Sequence, residues 1–138
     1  MPRHFPRHPG VNTGVFFCLE TGGEVDTGEE VTFEEFQRLR IHAGTIVEAA
    51  PNPQARVPAY VLRIDFGPLG LRTSSAQITR HYTPQDLVGR QIVAVLNFPA
   101  KRVAGVKSEV LVLGTVSEDE GVVLLHPSFP VANGTPVA

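Results

Sequence analysis

The chain has 138 residues, enough for one domain with a workable core. Its 12 Lys and Arg stand against 14 Asp and Glu, a net charge of −2 that excludes a polycation coating nucleic acid nonspecifically. A single cysteine, Cys18, excludes an intrachain disulfide and a cysteine-rich zinc site, and it fits a reduced, cytoplasmic setting.

Residues 1–30 are rich in Pro, Gly, Thr and charge, with neither helical nor alternating periodicity. Arg3 and Arg7 stand there against Glu20, Glu24, Asp26, Glu29 and Glu30. The rest of the chain is near neutral. The longest apolar run near the start, Val15 to Leu19, is far too short for a membrane span or a signal core, so no membrane insertion is expected. Arg3-His4 and Arg7-His8 form a proline-flanked echo. His4 and His8 are not expected to hold a metal, because nothing nearby adds ligands. The segment reads as a flexible or loosely docked N-terminal extension, with Phe16 and Phe17 available as a small anchor, and residues 31–138 read as the domain.

Thr32-Phe33-Glu34-Glu35 is a capping-box pattern, and Phe33, Phe36 and Leu39 are spaced for one face of a short helix. Ile41 to Ala49 reads as a strand, with a bulge or sharp bend expected at Gly44. Pro51-Asn52-Pro53 ends it and opens a loop running to Pro58. Tyr60, Leu62, Ile64 and Phe66 alternate with Val61, Arg63 and Asp65, a strand with one dry face. Gly67 to Gly70 is a turn, and Leu71 to Ala76 is a third strand. Thr83-Pro84 starts a helix that Gly89 closes. Gln91 to Asn97 and Val110 to Val116 are two more strands, joined by a basic loop. Val122 to Leu125 is a short extra strand before a proline-punctuated tail.

Three strands, a helix and two strands form the order of an OB-fold: an all-β, five-stranded Greek-key barrel, here with short helices and a C-terminal extension. The fourth and fifth strands are apolar on both faces. Their outer face needs cover, and a symmetric homodimer with the tail contributing is the expected source. OB-folds bind on strands two and three and on the loops joining strands one–two and four–five. Arg56 falls in the first loop, Lys101, Arg102 and Lys107 in the second, and Arg63 and Arg72 on the two strands. Six of the ten cations beyond residue 30 thus fall on one expected surface. There is no Trp, and only Phe98 stands beside the basic loop, so nucleic-acid binding would rest on phosphate contacts and shape rather than on base stacking.

No constellation for catalysis stands out. Ser74, Ser75, His81 and Asp86 supply the residue types of a triad without a nucleophile elbow. His42 and His126 read as structural, and Glu48 with Asp65 lacks a cleft that would separate their roles. No glycine-rich phosphate loop is present, and no metal or other cofactor is implied. A non-enzymatic binding protein is expected.

Several motifs carry a resemblance covering about residues 31–138. They are Gly44, Arg56-Val57-Pro58, Ser74-Ser75-Ala76-Gln77-Ile78, Tyr82, Leu87-Val88-Gly89, and Asn97, Lys101, Gly105, Ser108 and Leu111. In these the chain resembles the tRNA-binding OB-domain family, and within it the CsaA-type branch of dimeric export chaperones. The resemblance implies that Ser74, Ser75, Gln77, Asn97, Lys101 and Ser108 form a tRNA-binding face. It also implies unfolded preproteins and the export translocation motor as partners. Ser74, Ser75 and Gln77 suit a phosphate or a peptide backbone equally. An apolar groove bordered by cations, with main-chain bonding to a barrel edge, suits extended polypeptide. The alternative is a stand-alone tRNA-binding accessory protein serving a tRNA synthetase. Residues 1–30 have no counterpart in the family pattern.

Overall fold

The structure, a computed structural model, describes residues 29–138. The readings made above for His4, His8, Phe16, Phe17 and Cys18 lie outside the described residues. In chain order the elements are α1 (Phe33–Gln37), β1 (Ile41–Pro51), β2 (Tyr60–Asp65), β3 (Leu71–Ala76), α2 (Pro84–Leu87), β4 (Gln91–Val95), β5 (Lys101–Val103), β6 (Val106–Ser108), β7 (Leu111–Val112), β8 (Gly114–Ser117) and β9 (Gly121–Leu124). Five of them form one antiparallel sheet in the order β3-β2-β1-β4-β7. That sheet curls into a nearly closed barrel of the OB type.

Period-two alternation builds the barrel wall. In β2, Tyr60, Leu62 and Ile64 point inward, and their β3 partners Ala76, Ser74 and Arg72 share that face. Phe66, Ile46, Leu62, Ile64, Ile92 and Leu87 are fully buried. Leu87 belongs to α2, a single turn that plugs the barrel and packs on β1. Its start follows the expected chemistry: Thr83 Oγ1 accepts from Asp86 N, Asp86 Oδ2 accepts from Thr83 N, and Pro84 sets the first helical φ. The same reciprocal box joins Thr32 and Glu35 at α1. Helix α1 nevertheless buries none of its residues.

Three expectations are corrected. The bulge in β1 sits at Val47, between the Ile46–Ile64 and Glu48–Arg63 pairs, and not at Gly44. Gly44 keeps regular register with Ile92, and its lack of a side chain is what lets Phe66 close over the strand. The stretch Val110 to Val116 is not one strand. Leu113 N donates to Val93 O, while Leu113 O accepts from Leu125 N, so the chain changes partners there. Gly114 permits this, since a Cβ would lie 2.8 Å from the Val123 carbonyl oxygen. Beyond it, β8 leaves the barrel and pairs with β9. The basic loop is itself a β-hairpin, β5–β6, turned on Ala104 (φ 48°) and Gly105 (φ 83°), as a two-residue turn with left-handed residues requires.

The tail is ordered by hydrogen bonds. β2 pairs only with the second half of β1, which leaves one edge of residues 41–43 open. The tail takes that edge: Ala43 N donates to Thr135 O, Gly134 N to Ala43 O and Val137 N to Ile41 O. The Gln91 amide clamps it further, donating to Val131 O and accepting from Val131 N. No helix among the described residues is long and apolar enough to cross a membrane.

Gly44→Ala tests the packing at the strand crossing. Its Cβ would lie 2.6 Å from Phe66 Cδ1 and Cε1. Overpacking of this kind costs about 1–3 kcal/mol, read as a lower urea midpoint at unchanged slope.

Candidate functional site

The barrel does not close by a regular ladder. Both main-chain groups of Thr73 turn away from β2: Thr73 O accepts from Glu109 N, and Thr73 N donates to the Glu109 carboxylate at Oε1, each at 2.8 Å. Two residues on, Ser75 N donates to Ser108 Oγ at 3.0 Å. Alternation along a strand turns the Ser75 carbonyl toward this same edge. Inside, the buried Ser74 hydroxyl donates to Val110 O. The seam between β3 and residues 108–110 is therefore bridged largely by side chains.

A groove open to solvent lies along that seam. Ser75, Gln77, Lys101 and Ser108 line it, with Phe98, Pro99, Val103, Glu109, Val110 and Leu111. Hairpin register explains the selection. Lys101 pairs with Ser108 and Val103 with Val106 on one face, whereas Arg102 pairs with Lys107 on the other. The groove thus receives Lys101 and Val103, while Arg102 and Lys107 stand exposed on the far face. Arg102 Nη1 donates to Gly105 O at the hairpin tip.

The β1–β2 loop packs against that tip. Asn52 Nδ2 donates to Ala104 O, and Asn52 Oδ1 holds the loop by accepting from Gln54 N. Gln54 sits so close to Gly105 that a Cβ there would lie 2.6 Å from its Oε1. The two loops of the expected surface are therefore neighbours, with exposed Arg56 two residues beyond Gln54.

The remaining residues disperse. Arg63 is exposed on the outer face of β2, opposite Glu48 and Thr73. Arg72 shares the face of Ile64 at the far end of β3, where its guanidinium donates through Nε and Nη2 to Leu69 O. Asn97 spends its amide on the fold, accepting from Arg40 N and donating to Arg38 O. Ser74 is sealed inside the wall. Of the eleven expected residues, Ser75, Gln77, Lys101 and Ser108 meet in the groove. Arg56, Arg102 and Lys107 lie on the adjoining loops. Arg63, Arg72, Ser74 and Asn97 do not join them.

Sequence reasoning missed Glu109, which both closes the barrel and lines the groove, and the apolar walls Phe98, Val103 and Leu111. One signal was available. Ala104-Gly105 between Val103 and Val106 marks a tight hairpin turn, and strand alternation from it sorts Lys101 from Arg102.

The triad residue types are engaged elsewhere. His81 Nε2 lies 2.7 Å from Glu120 O and 3.2 Å from its carboxylate, and Asp86 caps α2. His42 Nδ1 is 2.9 Å from Gly134 O, and His126 Nδ1 is 2.8 Å from Pro127 O. Glu48 faces Arg63, while Asp65 accepts from Gly67 N. No group of three or more metal-ligating side chains occurs among the described residues.

A small barrel with a grooved seam, a two-faced basic hairpin and histidines held in structural contacts defines an OB-type binding module. Residues 41–136 match the family model described as "Putative tRNA binding domain", and the chain belongs to that family. The chain is 36% identical over 109 residues to the methionine–tRNA ligase of Porphyromonas gingivalis, covering 79% of this chain and 16% of the ligase. It thus spans about one-sixth of the length of such relatives. Among solved structures it is similar to chaperone CsaA from Bacillus anthracis, at 55% identity and a TM-score of 0.76, covering 80% of this chain and all of that one. It is also similar to the CsaA chaperone protein from Picrophilus torridus, at 42% identity and a TM-score of 0.74, covering 79% of this chain and all of that one.

Glu109→Ala tests the seam. It strands the half-buried Thr73 amide, a loss of about 1–3 kcal/mol. Hydrogen exchange should quicken at Thr73 more than at Val61, and Glu109→Gln, which keeps an acceptor, should recover much of the protection.

Proposed function

We propose that the chain is a molecular chaperone that holds unfolded preproteins for export, with tRNA-binding capacity on the same side of the barrel. The observation that carries the reading is the seam groove. An extended polypeptide needs apolar contact for its side chains and a strand edge for its main chain. Phe98, Val103, Val110 and Leu111 supply the first, and the Ser75 carbonyl at the β3 edge supplies an acceptor for the second, the Ser75 amide being held by Ser108 Oγ. The similarity to two chaperone structures supports the same reading. Ser75, Gln77, Lys101 and Ser108 would contact the polypeptide. Arg56, Arg102 and Lys107 would hold RNA phosphates, and Arg63 is peripheral. No step of this work breaks or makes a covalent bond, so the protein acts as a binder rather than as an enzyme. Its place is the cytoplasm, where it would hand clients to the translocation motor.

The second reading is a stand-alone tRNA-binding accessory protein for a tRNA synthetase. The likeness to a segment of the methionine–tRNA ligases favours it, as does the exposed Arg102–Lys107 pair. Competition at physiological salt separates the two. Full-length protein is mixed with tRNA and with reduced, carboxymethylated α-lactalbumin, a permanently unfolded probe. Probe binding that survives moderate salt is expected. Salt-steep tRNA binding with no probe binding would establish the accessory reading instead.

Variants refine the test. Arg102→Ala with Lys107→Ala should weaken tRNA binding for all RNA sequences alike and flatten its salt slope by about one per cation removed, leaving probe binding unchanged. Lys101→Ala should weaken both ligands.

The protein is further proposed to be a homodimer. Phe33 and Phe129 are 65% and 77% exposed, apolar groups that a second copy would cover. Light scattering at micromolar concentration should give twice the chain mass, and a monomer there would refute the dimer.

A further inference from the structure

The β5–β6 hairpin carries Arg102 and Lys107, yet each of its strands has only 3 residues. A two-stranded ladder of that length is not stable by itself. Its base is fixed on the barrel, where Ser108 Oγ accepts from Ser75 N. Its tip is strained: Ala104 is the one non-glycine among the described residues with a positive φ, 48°, a conformation that its Cβ makes costly. Such a backbone persists only where its surroundings over-determine it.

Those surroundings come from the β1–β2 loop. Asn52 is buried there and divides its amide between two tasks. Oδ1 accepts from Gln54 N, while Ala55 N donates to Asn52 O and Asn52 N to Ala59 O, so the loop folds about Asn52. Nδ2 leaves the loop and donates to Ala104 O at 3.3 Å. Gln54 closes on the second tip residue, Gly105, leaving no room for a Cβ between them. Arg102 Nη1 donates to the carbonyl of that same Gly105 at 3.2 Å. One run of contacts thus leads from the loop that bears Arg56, through the hairpin tip, to Arg102 and its ladder partner Lys107.

We propose that Asn52 is a positioning residue for RNA: touching no phosphate itself, it clasps the two loops into one body and fixes the spacing of Arg56, Arg102 and Lys107. This rests on the reading of those three cations as the phosphate-binding face. Cations held in place beforehand need no ordering when RNA arrives, which raises affinity. If release of the clasp leaves the competent arrangement about one-tenth populated, apparent affinity falls about tenfold. The phosphates contacted in the complex stay the same, and so does the salt slope.

Asn52→Ser separates the two tasks. A serine hydroxyl still accepts from Gln54 N but is too short to reach Ala104. Affinity of the full chain for tRNA is measured over a salt series for wild type and Asn52→Ser, each with and without Arg102→Ala and Lys107→Ala. Asn52→Ser alone should weaken binding about tenfold at every salt with an unchanged slope, and should lower the backbone order parameters of Ala104 and Gly105. Added to the two cation substitutions it should cost little, because the groups it positions are gone. Equal losses in both backgrounds would overturn the proposal. If the cation substitutions weaken tRNA binding and Asn52→Ser does not, the clasp is refuted and the phosphate-binding face stands. If the cation substitutions themselves cost nothing, that face is refuted and the positioning role falls with it. Should Asn52→Ser fail to fold, Gln54→Ala at an exposed position carries the same cycle, with a severalfold loss expected in the wild-type background only.

Discussion

The structure depends on how the first and last strands of the barrel meet. β3 and β7 do not share a regular ladder, and the gap is bridged by Glu109 on Thr73, Ser108 on Ser75 and Ser74 on Val110. A side chain that replaces a main-chain partner satisfies the buried edge yet stands off from it. That stand-off is the groove. Closure of the barrel and formation of the groove are therefore one event, and Glu109 and Ser108 take part in both. A regular ladder here would give a tighter drum with no edge to offer.

Much of the fold was legible because it rests on local rules. The alternation of Tyr60, Leu62 and Ile64, the Thr32–Glu35 and Thr83–Asp86 boxes, and the placement of the plug helix between β3 and β4 each follow from a few neighbouring residues. Two failures have one cause. Gly44 looked like a bulge and Val110 to Val116 like one strand, because a glycine in a strand signals a special contact without saying which. At Gly44 the contact is the Phe66 ring, and at Gly114 it is the main chain of Val123. Both partners are remote in sequence.

The site was half legible. The family resemblance pointed to Ser75, Gln77, Lys101 and Ser108, which converge. Counting cations by element could not see faces. Arg63 and Arg72 sit on adjacent strands yet on opposite sides of the sheet, and Lys101 and Arg102 are sequence neighbours turned away from each other. Asn97 was a sound choice of residue type, but both of its amide groups are committed to the end of α1. The result is a divided surface, one cation in the groove and others around its rim. On the proposed function, such a division would let polypeptide and RNA compete by crowding and charge without sharing every contact.

The tail carries a last consequence, for synthesis. Ile41 and Ala43 are among the first barrel residues to emerge, yet their outer partners, Gly134, Thr135 and Val137, follow about ninety positions later. Until then one rim of the nascent barrel is a bare template for other extended chains. A protein proposed to shield unfinished polypeptides thus begins life with an unfinished edge of its own, and translation itself supplies the segment that seals it.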